Sequence, residues 1–336
     1  MGGVVPGTPV PGGRTPRRRH ALGSVLAVST LALASCSSSS SSEEPLVAEP
    51  RPGQVFAADS AWNVPIPDDP VLDPKSRDMV SALLEDGGAI ALIYDYGVPV
   101  YEVDDSTPRV AVSCTQEDWG PCPLEREPLP IPPDAAPSAG SDSAMVVIDR
   151  SAGRVYDFWR AQQLPSGEWT AARGTWASLD GEGVGGDDGG ATGAGLNLLG
   201  GLVRISELET GRIDHALALV SDKSCPDVYR YPATKTDGHA SEPPCIPQGA
   251  RVQLDPSIDV EDLPGITPGE IAVAKALQNY GGYLRDSSQV AMGIAFETPT
   301  DGSDPYPETA GFPYDYYEMP HIPWDRVRVL AEWDGR

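Results

Sequence analysis

Familiar catalytic signatures are missing from this chain of 336 residues. It has no Gly-x-Ser-x-Gly elbow, no P-loop and no Gly-x-Gly-x-x-Gly after a strand-like run. Nothing therefore points to a serine hydrolase of that type, a P-loop NTPase or a dinucleotide enzyme. Gly193-Ala194-Gly195 lies in a Gly/Asp loop without the flanking strand. Histidine is scarce: beyond His20 there are His215, His239 and His321, with no HxH or HExxH spacing. A zinc site would need assembly from distant segments. Positive charge is also scarce, with 24 Lys and Arg against 49 Asp and Glu and a formal charge of −25. That balance makes nucleic acid and anionic lipid poor partners and disfavours a polyanionic glycan. Strand–helix alternation is absent, which argues against a doubly wound fold, and so is a repeat of propeller period.

What is present begins with an address. Arg17, Arg18 and Arg19 precede an apolar run from Ala21 to Ala34, too short for a mature membrane span. The run ends Leu33-Ala34-Ser35-Cys36, the pattern of a bacterial lipoprotein signal. Residues 1–35 are expected to be removed and Cys36 lipidated, with Sec and twin-arginine export both open. Cleavage would remove four arginines (14, 17, 18 and 19) and no acid, taking the charge from −25 to −29. Residues 36–52, rich in Ser and Pro, read as a tether, and 53–336 as one domain. The expectation is an exported monomer held at the outer face of the cell membrane by its lipid.

Four further cysteines fit an oxidising compartment. Sequence proximity favours Cys114–Cys122 and Cys225–Cys245 as disulfides, since no pair has CxxC spacing for a metal. Glycine (36) and proline (35) are abundant and spread along the chain, favouring short strands and turns. The predicted fold is mostly β, a two-sheet sandwich of jelly-roll type with two short helices. Those helices are Ser76 to Glu85 and Pro268 to Tyr280. The second carries the best start signal, with Thr267 and Glu270 as a capping box around Pro268. Met145 to Asp149 and Arg154 to Arg160 form a hairpin. Gly201 to Val220 reads as two strands about a turn at Glu209-Thr210-Gly211, the second apolar on both faces except for Asp214 and His215.

An ionisable pair in an apolar strand needs a partner or a purpose. Asp142 precedes the Met145 strand, Glu207 and Asp214 flank the turn, and Asp237 sits in a loop. Paired carboxylates in unlike environments are the requirement of glycoside hydrolysis. Asp142 and Asp237 are the acid/base candidates, with His215 and Glu207 tuning or orienting them; equally, His215 is a neutral core residue. Trp62, Asn63, Arg204, Lys235, Tyr280 and Tyr316 are candidates for substrate binding, the aromatics as stacking faces. No cofactor is required. The loop from Asp180 to Asp188 has a calcium-like composition but lacks the register and terminal Glu of a full calcium loop.

Several motifs together resemble an uncharacterised family of exported bacterial proteins. They are Ser60-Ala-Trp62-Asn63 with Pro65-Ile66, Gly140-Ser-Asp142 leading into Met145-Val-Val-Ile-Asp149, Gly195 to Arg204 with Glu207, Gly211-Arg-Ile-Asp-His215-Ala-Leu, Tyr231-Pro-Ala233, Ile246-Pro-Gln-Gly249-Ala-Arg251, and Ala276 to Gly281 with Asp286. The similarity covers nearly all of residues 60–297. It implies a histidine after the Asp142 motif and another after the Pro-Ala motif, where this chain has Ala144 and Lys235. It supplies a domain boundary and a site neighbourhood but no established reaction. The sequence thus leads to a carbohydrate-active domain on a neutral or weakly charged cell-wall or other polysaccharide. The rivals are a non-catalytic glycan-binding or envelope structural protein, and a polysaccharide lyase using His215 with Tyr280 or Lys235.

Overall fold

Two sheets face each other across a core of alternating side chains in the computed structural model, which describes residues 54–184 and 190–333. The first has six strands in the order Ile90–Leu92, Gly293–Ala295, Leu217–Ser221, Gly282–Ser287, Arg251–Leu254 and Val327–Val329. The second has five, in the order Arg173–Ser178, Arg154–Trp159, Met145–Asp149, Val98–Val103 and Glu297–Thr298. Smaller two- and three-stranded sheets flank them. The protein is mainly β and sandwich-like. Its pairings are mixed: Leu217–Ser221 runs parallel to Gly282–Ser287, and Val98–Val103 parallel to Met145–Asp149, whereas a jelly roll is antiparallel throughout.

The period of two in each strand decides the layers. Val146 and Ile148 face inward and join Val98, Val100, Ala216, Ala218, Tyr283 and Trp62 in the core between the sheets. Met145 and Val147 face outward and pack with Tyr156, Phe158, Leu124 and Trp169 beneath the first disulfide loop. Leu217, Leu219 and Leu284 face the other way, against α1 (Ser76–Leu83) and α3 (Pro268–Asn279). Strands covered on both faces read as continuous apolar runs.

Two devices hold this arrangement. The α3 capping box forms as its sequence predicts: the Thr267 hydroxyl accepts from Glu270 N–H at 3.3 Å, and the Glu270 carboxylate from Thr267 N–H at 2.8 Å. Both disulfides pair as proximity favours, Cys114–Cys122 and Cys225–Cys245. Phe296 joins the sheets at a corner. Its N–H donates to Leu92 in the first sheet and its carbonyl accepts from Val98 in the second. The segments around residues 90–103 and 293–298 therefore run side by side through both layers.

Three expectations change. Gly201 to Ile205 is not a strand: Val203 makes one bridge to Phe296, and Ile205–Thr210 is a helix, α2. Gly211 ends that helix with φ +67°. The following strand begins at Leu217, so Asp214 and His215 precede it rather than interrupt it. A fourth helix, α4 (Tyr306–Thr309), adds to the two anticipated, and Gly282–Ser287 is a central strand that the Gly-Gly helix stop concealed. Among the described residues no helix is long and apolar enough to cross a membrane. The described residues belong to one unit, Val47–Arg336, and Cys36 lies outside them.

Candidate functional site

The four acid/base candidates divide into two pairs at opposite ends of the first sheet. His215 lies two residues before Leu217, which pairs with Gly282, whereas Asp286 pairs with Val220. At about 3.3 Å per strand residue the two ends are roughly 16 Å apart.

At the near end, His215 and Glu207 line a cavity of 350 Å³ with Trp62, Asn63, Arg204 and Arg212. The imidazole Nε2 is 3.1 Å from Glu207 Oε2, and Nδ1 is 2.9 Å from the Ala216 carbonyl. Burial pulls the His215 pKa down, but the Glu207 carboxylate outweighs it and the net shift is upward. In the protonated ring Nδ1–H donates to the Ala216 carbonyl and Nε2–H to Glu207. Glu207 also accepts from Arg204 N–H at 2.9 Å, at the start of α2. Arg204 in turn places Nε and Nη2 on Glu297 at 2.8 and 3.3 Å. Arg212 pairs with Asp214 through Nε at 2.7 Å. Opposite charges are thus matched one for one, as in a clasp fastening α2 to the entry of the central strand.

Two further candidates lining this cavity are also tied into the surrounding fold. Trp62 is 1% exposed, set edge-on against Tyr283 with centroids 5.6 Å apart. A Cβ on Gly200 would stand 2.5 Å from its ring, so glycine is required for that packing. The Asn63 amide donates to the carbonyls of Val55 and Ala57 at 2.8 and 2.9 Å, pinning the segment before it. Tyr280, at the end of α3, lines a neighbouring cavity of 840 Å³ that shares Thr210, Arg212 and Asp214 with the first.

The far end gathers like charges. Asp237 Oδ1 accepts from Gln248 Nε2 at 2.6 Å and Ser287 Oγ at 2.8 Å. Asp286 Oδ1 accepts from Gly193 N–H at 2.9 Å. Gly193 separates the two carboxyl groups, and a Cβ there would be 2.0 Å from Asp237 Oδ1. Burial and the Asp237 charge push the Asp286 pKa up to about 7, against the Gly193 N–H and the Arg285 guanidinium; the Asp142 charge adds to the rise. Lys235 stands among the same acids, its pKa lowered by burial although Asp286 and Asp237 oppose that. Asp142 is exposed and accepts from Trp159 Nε1 at 3.2 Å. Tyr316 reaches the same side indirectly: its hydroxyl donates to Asp95 at 3.0 Å, and the Asp95 carbonyl accepts from Gly140.

Beneath this end lies Asp157, fully buried and accepting from Thr175 and Leu198 N–H at 2.8 and 3.2 Å. Burial raises its pKa to about 6. Arg285 passes beside it and donates to the Leu198 carbonyl at 2.7 Å. The residue that sequence reasoning left off the site list is Asp286. It belongs to the motif set, and its signal was an Arg-Asp pair directly after a helix stop.

Of the calcium-like loop, Asp187 and Asp188 lie outside the described residues. Asp180 accepts from Ser178 and Glu182 from Tyr231. Among the described residues no group of three His, Cys, Asp or Glu side chains forms a metal cluster. His321 bonds to Glu270 at 2.9 Å, and His239 is exposed in the second disulfide loop. Comparison with family models, curated proteins and solved structures gives no match.

Proposed function

We propose that this is an exported, lipid-tethered glycoside hydrolase acting on a neutral or weakly charged glycan, with its catalytic groups at the Asp237–Asp286 end. One observation carries the reading: two carboxyl groups meet Gly193 in unlike surroundings, Asp286 accepting its N–H and Asp237 lying where a Cβ would stand, with burial and the Asp237 charge pushing the Asp286 pKa up to about 7. Such a difference assigns acid and base. Asp286 donates its proton to the glycosidic oxygen as that bond breaks. Asp237, oriented by Ser287 and Gln248, takes a proton from the water whose oxygen bonds to the anomeric carbon. Lys235 balances the charge of the acids around it. His215 and Glu207 hold α2 in place and take no part in the chemistry.

A polysaccharide lyase is the second reading, favoured by the lowered pKa of Lys235, which suits a base. The soluble domain, residues 53–336, should be incubated with a panel of cell-wall and plant polysaccharides. New reducing ends without ultraviolet absorbance are expected. Absorbance from unsaturated products would replace the hydrolase by the lyase. Silence on both, with glycan retained in a pull-down, would make the protein a binding module.

A further inference from the structure

A flat aromatic surface stands beside the acids. Trp119 is 53% exposed, on the loop closed by Cys114–Cys122. Its ring lies parallel to that of Trp159, with centroids 5.9 Å apart and planes at 4°. Trp159 donates its Nε1–H to Asp142 Oδ1 at 3.2 Å, which fixes the ring's orientation, and the Arg160 guanidinium lies 4.5 Å from its centroid. The loop is anchored at its turn: Arg173 Nη1 donates to the Gly120 carbonyl at 2.8 Å. Arg173 also contributes to the field at Lys235. The platform is thus tied to Asp142 through Trp159.

A half-exposed indole leaves apolar surface in water that binding could cover. Here it is held rigid by a second indole, which lowers the ordering cost of binding against it. Aromatic faces are electron-rich and take the C–H-bearing face of a pyranose ring, whose hydroxyls stay in the plane of the sugar. Glu117 and Asp118 immediately before Trp119 place negative charge at its edge, which favours a neutral sugar over a uronate.

We infer that Trp119 stacks against a sugar ring of a neutral glycan, in a subsite that continues from Asp142. This rests on the hydrolase reading for its substrate class but not for its own test. Native gels cast with hydroxyethylcellulose, xylan, galactomannan or a β-1,3-glucan, each alone, measure affinity from retardation. The wild-type domain should be retarded in at least one gel. Trp119→Ala should lose that retardation roughly tenfold, and Trp119→Phe should keep most of it. An unchanged melting temperature in Trp119→Ala would show that the fold persists. With any glycan that is cut, Trp119→Ala should raise KM and leave kcat. Retardation lost in the variant without reducing ends would uphold the subsite and remove the hydrolase. Reducing ends with retardation and KM unchanged in the variant would do the reverse. A wild-type domain that runs free in every gel overturns the subsite.

Discussion

The two ends of the first sheet use the same residue types to opposite effect. At the His215 end each cation has its acid: His215 with Glu207, Arg204 with Glu297 and Arg212 with Asp214. Charge is neutralised locally, and the product is mechanical, a helix start fixed to a strand entry. At the Asp286 end acids face acids across a glycine, with Asp237 and Asp142 both opposing ionisation of Asp286. Burial and those charges raise the Asp286 pKa to about 7. Matched charges favour the ionised form of both partners, whereas crowded like charges raise the pKa of a carboxyl group.

The largest effect should come from breaking the crowded end. Asp286→Asn keeps an acceptor for Gly193 N–H but has no transferable proton. Glycan hydrolysis should fall by about 10²–10⁴-fold, as read by reducing-end release, with a melting temperature at neutral pH no lower than that of the wild type. A variant that retains activity would move the chemistry elsewhere. The matched end should respond in the other currency. Glu207→Ala leaves His215 without its carboxylate and Arg204 N–H without its acceptor, so stability should drop by about 1–3 kcal/mol in urea unfolding. Turnover should stay within a few-fold; a collapse of turnover in a folded Glu207→Ala protein would dissolve the distinction between the ends.

The last effect is a slope. Asp286 titrates near 7 in the folded chain, against about 3.9 for an unfolded aspartate. The folded state holds the extra proton between those values. This contribution to stability is therefore fully present below about pH 4 and is lost as the pH rises towards 7. Asp157, at about 6, acts with the same sign. Urea midpoints at pH 5 and pH 8 should differ less in Asp286→Asn than in the wild type, with Asp157 leaving part of the slope. Identical slopes would mean that Asp286 is ionised throughout.

Much of the framework was legible because it is local. The α3 start is written in Thr267, Pro268 and Glu270, the hairpin in Met145 to Trp159, and the disulfides in short separations. The Gly282–Ser287 strand was hidden because Gly281 and Gly282 end a helix, and Arg285 and Asp286 break its apolar run. Those two polar residues are accommodated by partners far away in sequence, the Leu198 carbonyl and Gly193 N–H. A short helix at Ile205–Thr210 was masked by the apolar residues before it. Acids were singled out as a kind from the sequence, but which of them meet depends on strand register between distant segments. Register placed Asp286 beside Asp237 and took His215 to the other end.

The corner at Phe296 has a consequence for how the chain reaches this state. Ile90–Leu92 and Val98–Val103 take their parallel partners from Gly293–Ala295 and Glu297–Thr298, near the far end of the sequence. Loop closure over such a distance has to precede the contacts that reward it. Neither sheet can acquire its full set of neighbours until residue 298 has been delivered, so assembly waits on almost the whole polypeptide. Premature docking of the first half would leave the edges of Ile90–Leu92 and Val98–Val103 open to other chains.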